Sequence, residues 1–235
     1  MLVFALLALE LVCVYVLGRR VLDRLVARAA YGPAPRRWLT WGFLAPGVAL
    51  HESAHAVTAI ALLGRVERFV PFRPRPLPDG GVLLGEVRYR GSRLPLLGGP
   101  LGRALVGLAP LVLVPLVVYV AGCALVPGVA VGDDPARLGR ALVDDGLSAG
   151  LVVWIAIALS ASIGLLPSRI DHQDLPRALA LVAAVAVVWL LWRGGIDAVE
   201  GRRLVTDAAG PATFAAQLLA PSAVVALLGS LLLRP

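Results

Sequence analysis

Lysine is missing from this chain: all 22 basic residues are arginine. Charge of either sign is scarce, at 16% of 235 residues, and aromatic side chains make up only 6%. A soluble domain of this length needs a far more polar surface, so water is excluded as the main solvent. The two cysteines, Cys13 and Cys123, both lie inside apolar runs, which excludes a disulfide framework and marks them as small buried hydrophobes. Neither an internal repeat nor a low-complexity tract is found. No basic residue precedes the first apolar run, Leu2 to Leu17, and no small-residue cleavage pattern follows it, so the run reads as a retained anchor. The net charge of +7 has no nucleic-acid-binding module behind it, and no nucleic-acid partner is expected. The arginines fall mainly between apolar stretches, where lipid headgroups or water meet them.

What is abundant is apolar: 59% of residues are hydrophobic and the mean hydropathy is +0.84. A helix needs roughly 20 apolar residues to cross a bilayer. The runs at about 2 to 18, 39 to 64, 98 to 127, 147 to 167, 177 to 194 and 213 to 233 predict an all-α polytopic membrane protein with about six crossings. One integral membrane domain, 1–235, is the simplest organisation, in the membrane of a prokaryotic cell. Between the first two runs, residues 19–37 carry Leu22, Leu25, Val26 and Ala29 at helical spacing among Arg20, Asp23, Arg24 and Arg28, which predicts a helix lying along the membrane surface. Residues 65–97 differ in kind. Pro71, Pro74, Pro76 and Pro78 break helices, Asp79-Gly80-Gly81 signals a turn, and Val82 to Tyr89 reads as a strand. A small β-hairpin or sheet is expected there, between the second and third crossings. The segment from Gly128 to Gly146, with Asp133, Asp134, Asp144 and Asp145, reads as an exposed loop.

Only three histidines occur, and two of them stand in His51-Glu52-Ser53-Ala54-His55. Four residues apart on a helix, their imidazoles share one face, which is the spacing of two ligands to one metal ion. Glu52 is rotated by about 100 degrees from His51, near enough to act on a water without itself being a ligand. The motif sits inside an apolar run, where a charged side chain costs roughly 2.5 to 3.5 kcal/mol, so a functional role is indicated. Ala54, Ala56, Ala59 and Ala61 would let other helices approach and shield it from lipid. Zinc in a catalytic site takes three protein ligands, so a third must come from elsewhere. The best source is the segment from Ser160 to Asp174, where a span ends at Pro167 and acids follow; Asp171 is the first choice, with Asp174 and then His172 behind it. Asp174 also suits a helix cap before Leu175-Pro176. Zinc would lower the pKa of water to about 7, Glu52 would serve as general base, and a hydroxyl of Ser160 or Ser162 would support the developing oxyanion.

The intramembrane His-Glu-x-x-His, the strand-forming segment after it, Gly99-Pro100 at the start of the next helix and the later Pro167-x-x-x-Asp171 together resemble the site-2 protease family of intramembrane zinc metalloproteases, over roughly residues 39–175. The resemblance implies zinc bound by His51, His55 and Asp171, with Glu52 activating water, and a peptide or membrane-protein substrate. It implies a minimal, divergent member: Ile170-Asp171-His172 stands where the family carries Leu-Asp-Gly, Ser160 or Ser162 where it carries Asn, Arg103 near another family Asn, and no stretch is long enough for a PDZ domain. Two rivals remain on the residues alone. One is a surface-cutting membrane zinc protease with a glutamate such as Glu200 as third ligand. The other is a non-proteolytic membrane protein that binds or moves a metal ion or serves as a scaffold.

Overall fold

A computed structural model describes residues 2–78, 81–144, 146, 148–165, 173–193 and 198–232. The described residues are mostly helical, at 76%. It opens with Leu2–Cys13 (α1), passes through a π-helical turn at Val14–Gly18, and continues as Arg19–Tyr31 (α2). No break therefore separates the apolar anchor from the arginine-rich stretch expected to form a helix of its own. The Val21, Leu22, Leu25 and Val26 stripe packs with Leu44 and Ile163, while the arginines face outward. The break comes at Gly32-Pro33, both extended, where proline disfavours helix for the residue before it. Ala34–Ala61 (α3) follows and carries the His-Glu-x-x-His motif.

The segment after α3 folds as the expected β element. Arg65–Val70 (β1) pairs antiparallel with Glu86–Arg90 (β4), with a bulge between Val66 and Arg68, and Arg75–Pro76 (β2) pairs with Val82–Leu83 (β3). The strand expected over Val82 to Tyr89 is thus interrupted at Leu84-Gly85. A short turn of helix, Pro95–Gly98 (α4), leads to Pro100–Leu125 (α5), whose Pro100 takes the first helical turn, where a missing N–H costs nothing. The presumed loop before the next span is corrected: Ala136–Asp144 (α6) is helical, and its Leu138 and Ala141 are buried against Tyr119, Val126, Val129 and Leu151. Ala149–Gly164 (α7), capped by Ser148, then Leu175–Arg193 (α8) and Ala198–Leu232 (α9) complete the order.

Among the described residues, three helical stretches are long and apolar enough to cross a bilayer: Leu2–Ala30, Pro100–Leu125 and Arg202–Leu231. This criterion shows three of the about six spans expected. α3 has the length but carries charge, while Ala149–Gly164 and Pro176–Trp189 are apolar and shorter. Many large apolar side chains on the outer surface are exposed, among them Val112, Val185, Val188 and Trp192, as lipid contact requires.

The core that positions the site is the contact of α3 with α5 and α7. Gly47 is the point of closest approach: a Cβ there would lie 2.0 Å from the carbonyl oxygen of Ser160, and one on Gly164 would lie 2.5 Å from the Gly47 carbonyl carbon. Backbones this close require glycine.

Candidate metal centre

Pro46 lacks an N–H and crowds the preceding turn of α3, so the helix ladder opens there. Ser160 of α7 fills the opening. Its Oγ accepts from Gly47 N at 2.9 Å and donates to the Phe43 carbonyl at 2.5 Å, so both backbone groups are satisfied. One turn later stands His51, and His55 follows another turn on; both are buried, at 7% and 6% exposure.

The two imidazoles meet edge to face, with ring centroids 4.6 Å apart, and their Nε2 atoms lie 3.0 Å from each other. His55 Nδ1 lies 2.8 Å from the carbonyl oxygen of Val106 on α5. A carbonyl only accepts, so Nδ1 carries the proton and the Nε2 lone pair is left facing His51. This is the outer-shell arrangement that fixes a metal-ligating histidine. Two Nε2 atoms bound tetrahedrally to one zinc at about 2.0–2.1 Å stand about 3.3 Å apart, so the observed pair needs to part by only a few tenths of an ångström to take the ion. The two imidazoles are donors of the type and spacing zinc takes, two of the three a catalytic site needs.

The motif opens on a cavity of ≈ 340 Å³ that His51, Glu52 and His55 line together with strand residues 82–87, Tyr89, Arg103 and Asp174. Over Glu52 lies the strand interruption: a Cβ on Gly85 would sit 2.6 Å from Glu52 Cγ and 3.0 Å from its Oε1. The bare backbone of Gly85 thus forms the roof of the glutamate. Gly85 and the Val106 carbonyl are the contributions that residue patterns left unread, although a glycine inside a strand is a signal of close approach.

The third-ligand candidates fall unevenly. Asp171 and His172 lie outside the described residues, and among the described residues no group of three His, Cys, Asp or Glu side chains gathers. Asp174 reaches the cavity, but its carboxylate is already engaged. Oδ2 accepts from Arg103 Nε at 2.6 Å, and Oδ1 from Arg103 Nη2 and Arg177 Nη1, each at 3.3 Å. The Arg103 hydrogen bond and charge, with help from Arg177, outweigh burial and hold the Asp174 carboxyl below its ordinary range. Its backbone carbonyl accepts from Ala178 N at the start of α8, while the carboxylate expected to cap that helix is taken up by the arginines.

Ser160 and Ser162 do not suit the oxyanion role expected of them. Each hydroxyl has one proton; that of Ser160 goes to Phe43 and that of Ser162 to the Ala158 carbonyl at 2.7 Å, and Ser222 donates to Ser162 at 3.0 Å. Neither serine is among the described residues that line the cavity. No protein-family model, curated protein or solved structure matches the chain.

Proposed function

We propose that the chain is a zinc-dependent intramembrane peptidase, a minimal relative of the site-2 proteases. The observation that carries this reading is the convergence of two buried Nε2 atoms at 3.0 Å, one of them aimed by a carbonyl, at the edge of a cavity that also holds a carboxylate. His51 and His55 would hold the ion with a third ligand from Asp171 or His172; Asp174 is the least suited because two arginines occupy its oxygens. Zinc, when bound there, would supply Lewis acidity that makes water nucleophilic near neutral pH and polarises a peptide carbonyl.

The chain's own residues do the rest. Glu52 takes a proton from water as the water oxygen adds to the peptide carbonyl carbon, and returns it to the amide nitrogen as the C–N bond breaks. Gly85, with no side chain, leaves room for the Glu52 side chain at the cavity wall. A membrane-embedded or membrane-adjacent substrate must unwind before its carbonyls are reachable. The cavity-lining strands β3 and β4 offer backbone to which an extended peptide can add. In this reading α3, α7 and α8 cross the bilayer in company with the three longer spans, giving six.

Metal analysis of the purified protein tests the proposal. About one zinc per chain is expected, with loss in His55→Ala; Glu52→Gln should keep zinc and lose cleavage of a membrane-peptide substrate by roughly 100-fold or more. A wild-type protein without zinc affinity overturns the reading. A Glu52→Gln protein that keeps its full biological activity identifies a metal-binding or scaffold protein instead.

A further inference from the structure

The outer face of the β1–β4 hairpin carries a charge pattern that the peptidase reading does not use. In the register of the two strands Arg65 stands opposite Arg90 and Arg68 opposite Arg88, while Val66 with Tyr89 and Phe69 with Val87 occupy the other face. Val87 and Tyr89 line the cavity, and so does Glu86 at the end of the arginine face, but Arg65, Arg68, Arg88 and Arg90 are not among the residues that line it. Like charges directly opposite in an antiparallel ladder repel, and here two such pairs are consecutive on one face.

Partial relief comes from two carboxylates. Glu86, with its side chain only 13% exposed, is shared by Arg68 at 3.4 Å, Arg75 at 3.1 Å and Arg88; Glu67 takes Arg90 at 3.2 Å. Burial pushes the Glu86 carboxyl up, but these arginines together hold it below its ordinary range. The four arginines of this face, joined by Arg75 of β2, meet two carboxylates and leave a positive excess where the side chains of Arg88 and Arg90 are 66% and 80% exposed.

The hairpin's attachment says what meets that excess. β1 follows α3 within a few residues, and β4 leads through α4 into Pro100–Leu125, a helix long and apolar enough to cross a bilayer. Exposed Leu63 and Leu94 flank the two strands. A basic surface bordered by apolar side chains at the end of a spanning helix lies at the depth of the phospholipid phosphates. Arginine's planar fork matches phosphate oxygens, and the leaflet's negative potential adds to the attraction.

We infer that the outer face of the β1–β4 hairpin is a binding surface for anionic phospholipid headgroups, seating the cavity-lining strands on the membrane. The inference stands whether or not the chain cuts peptides, because its test reads lipid. The full-length protein in neutral detergent is titrated with phosphatidylglycerol or phosphatidylcholine, and bound lipid is counted by native mass spectrometry. Wild type is expected to prefer phosphatidylglycerol by roughly 10-fold or more. The quadruple variant Arg65→Gln/Arg68→Gln/Arg88→Gln/Arg90→Gln should lose most of that preference, and the corresponding Arg→Lys variant should keep most of it. A glutamine variant that melts like wild type and retains the preference overturns the inference. So does a wild-type preference that survives 0.5 M salt undiminished, since screening at this strength acts within a few ångströms. Arginine-dependent binding of a poly-glutamate peptide with no preference between the two lipids also overturns it, and makes the face a peptide-docking surface. Should the glutamine variant fail to fold, the lysine variant and the salt response decide.

Discussion

At position 85 the side chain that is missing matters as much as any that is present. A methyl group there would stand 2.6 Å from Glu52 Cγ, closer than real carbon atoms approach, so the glutamate has to swing away. Under the proposed peptidase reading, Gly85→Ala is therefore expected to lower turnover by on the order of 100-fold, the penalty of a reacting group misplaced by about an ångström. Its zinc content and melting temperature should stay near wild type, because the side chain that yields is a flexible one. Unchanged turnover would remove Gly85 from the positioning of Glu52. The histidines and Glu52 were legible in the sequence because helical spacing alone puts them on adjacent faces. Gly85 was not, because its partner is 33 positions away and no periodicity connects a strand to a helix.

The helix α3 owes its shape to a neighbour. Pro46 opens its ladder, and Ser160 on α7 closes it by bonding Gly47 N and Phe43 O. Such repair by a serine from a packed helix is what makes a proline tolerable where lipid offers no hydrogen bonds. Ser160→Ala leaves two backbone groups without the hydroxyl that serves them and is expected to destabilise by about 1–3 kcal/mol, read as a lowered melting temperature in detergent. Ser162→Ala should cost less, since Ser162 returns its proton to its own helix at Ala158 and only the Ser222 hydroxyl loses its acceptor, against two backbone groups at Ser160. Equal effects of the two would deny the repair. The elements themselves were largely readable: apolar runs and prolines marked α3, α5, α7 and the hairpin. The helix in 136–144 escaped because the acids at its two ends masked an apolar stripe, Leu138 and Ala141, that only burial against Tyr119 and Leu151 makes significant.

Across the whole molecule, the cavity is enclosed by elements remote in sequence: α3, the hairpin, α5 and the residues before α8. Arg103 and Asp174 tie the last two together. Because the Asp174 carboxyl is held below its ordinary value of 3.8, the tie is fully present above that pH and fades as pH falls through the lowered value. Asp174→Asn, which keeps the shape and removes the charge, should melt below wild type by an amount that is constant from pH 8 to about pH 5 and shrinks below about pH 4. The neutral-pH deficit should be roughly 1–2 kcal/mol, between the values of exposed and buried pairs, since the Arg103 side chain is 41% exposed. A deficit that grows on acidification would mean that Asp174 is not held by its arginines.

By itself the sequence determined the apolar, helical character, the place of the β element and the facing histidine pair, because each depends on composition or on the repeat of one local element. Tertiary structure alone decided which carbonyl orients His55, that Asp174 is committed to arginine, that Ser160 mends a helix, and that a glycine roofs Glu52. Those are meetings of residues tens of positions apart, and local periodicity carries no record of which faces of different elements come into contact.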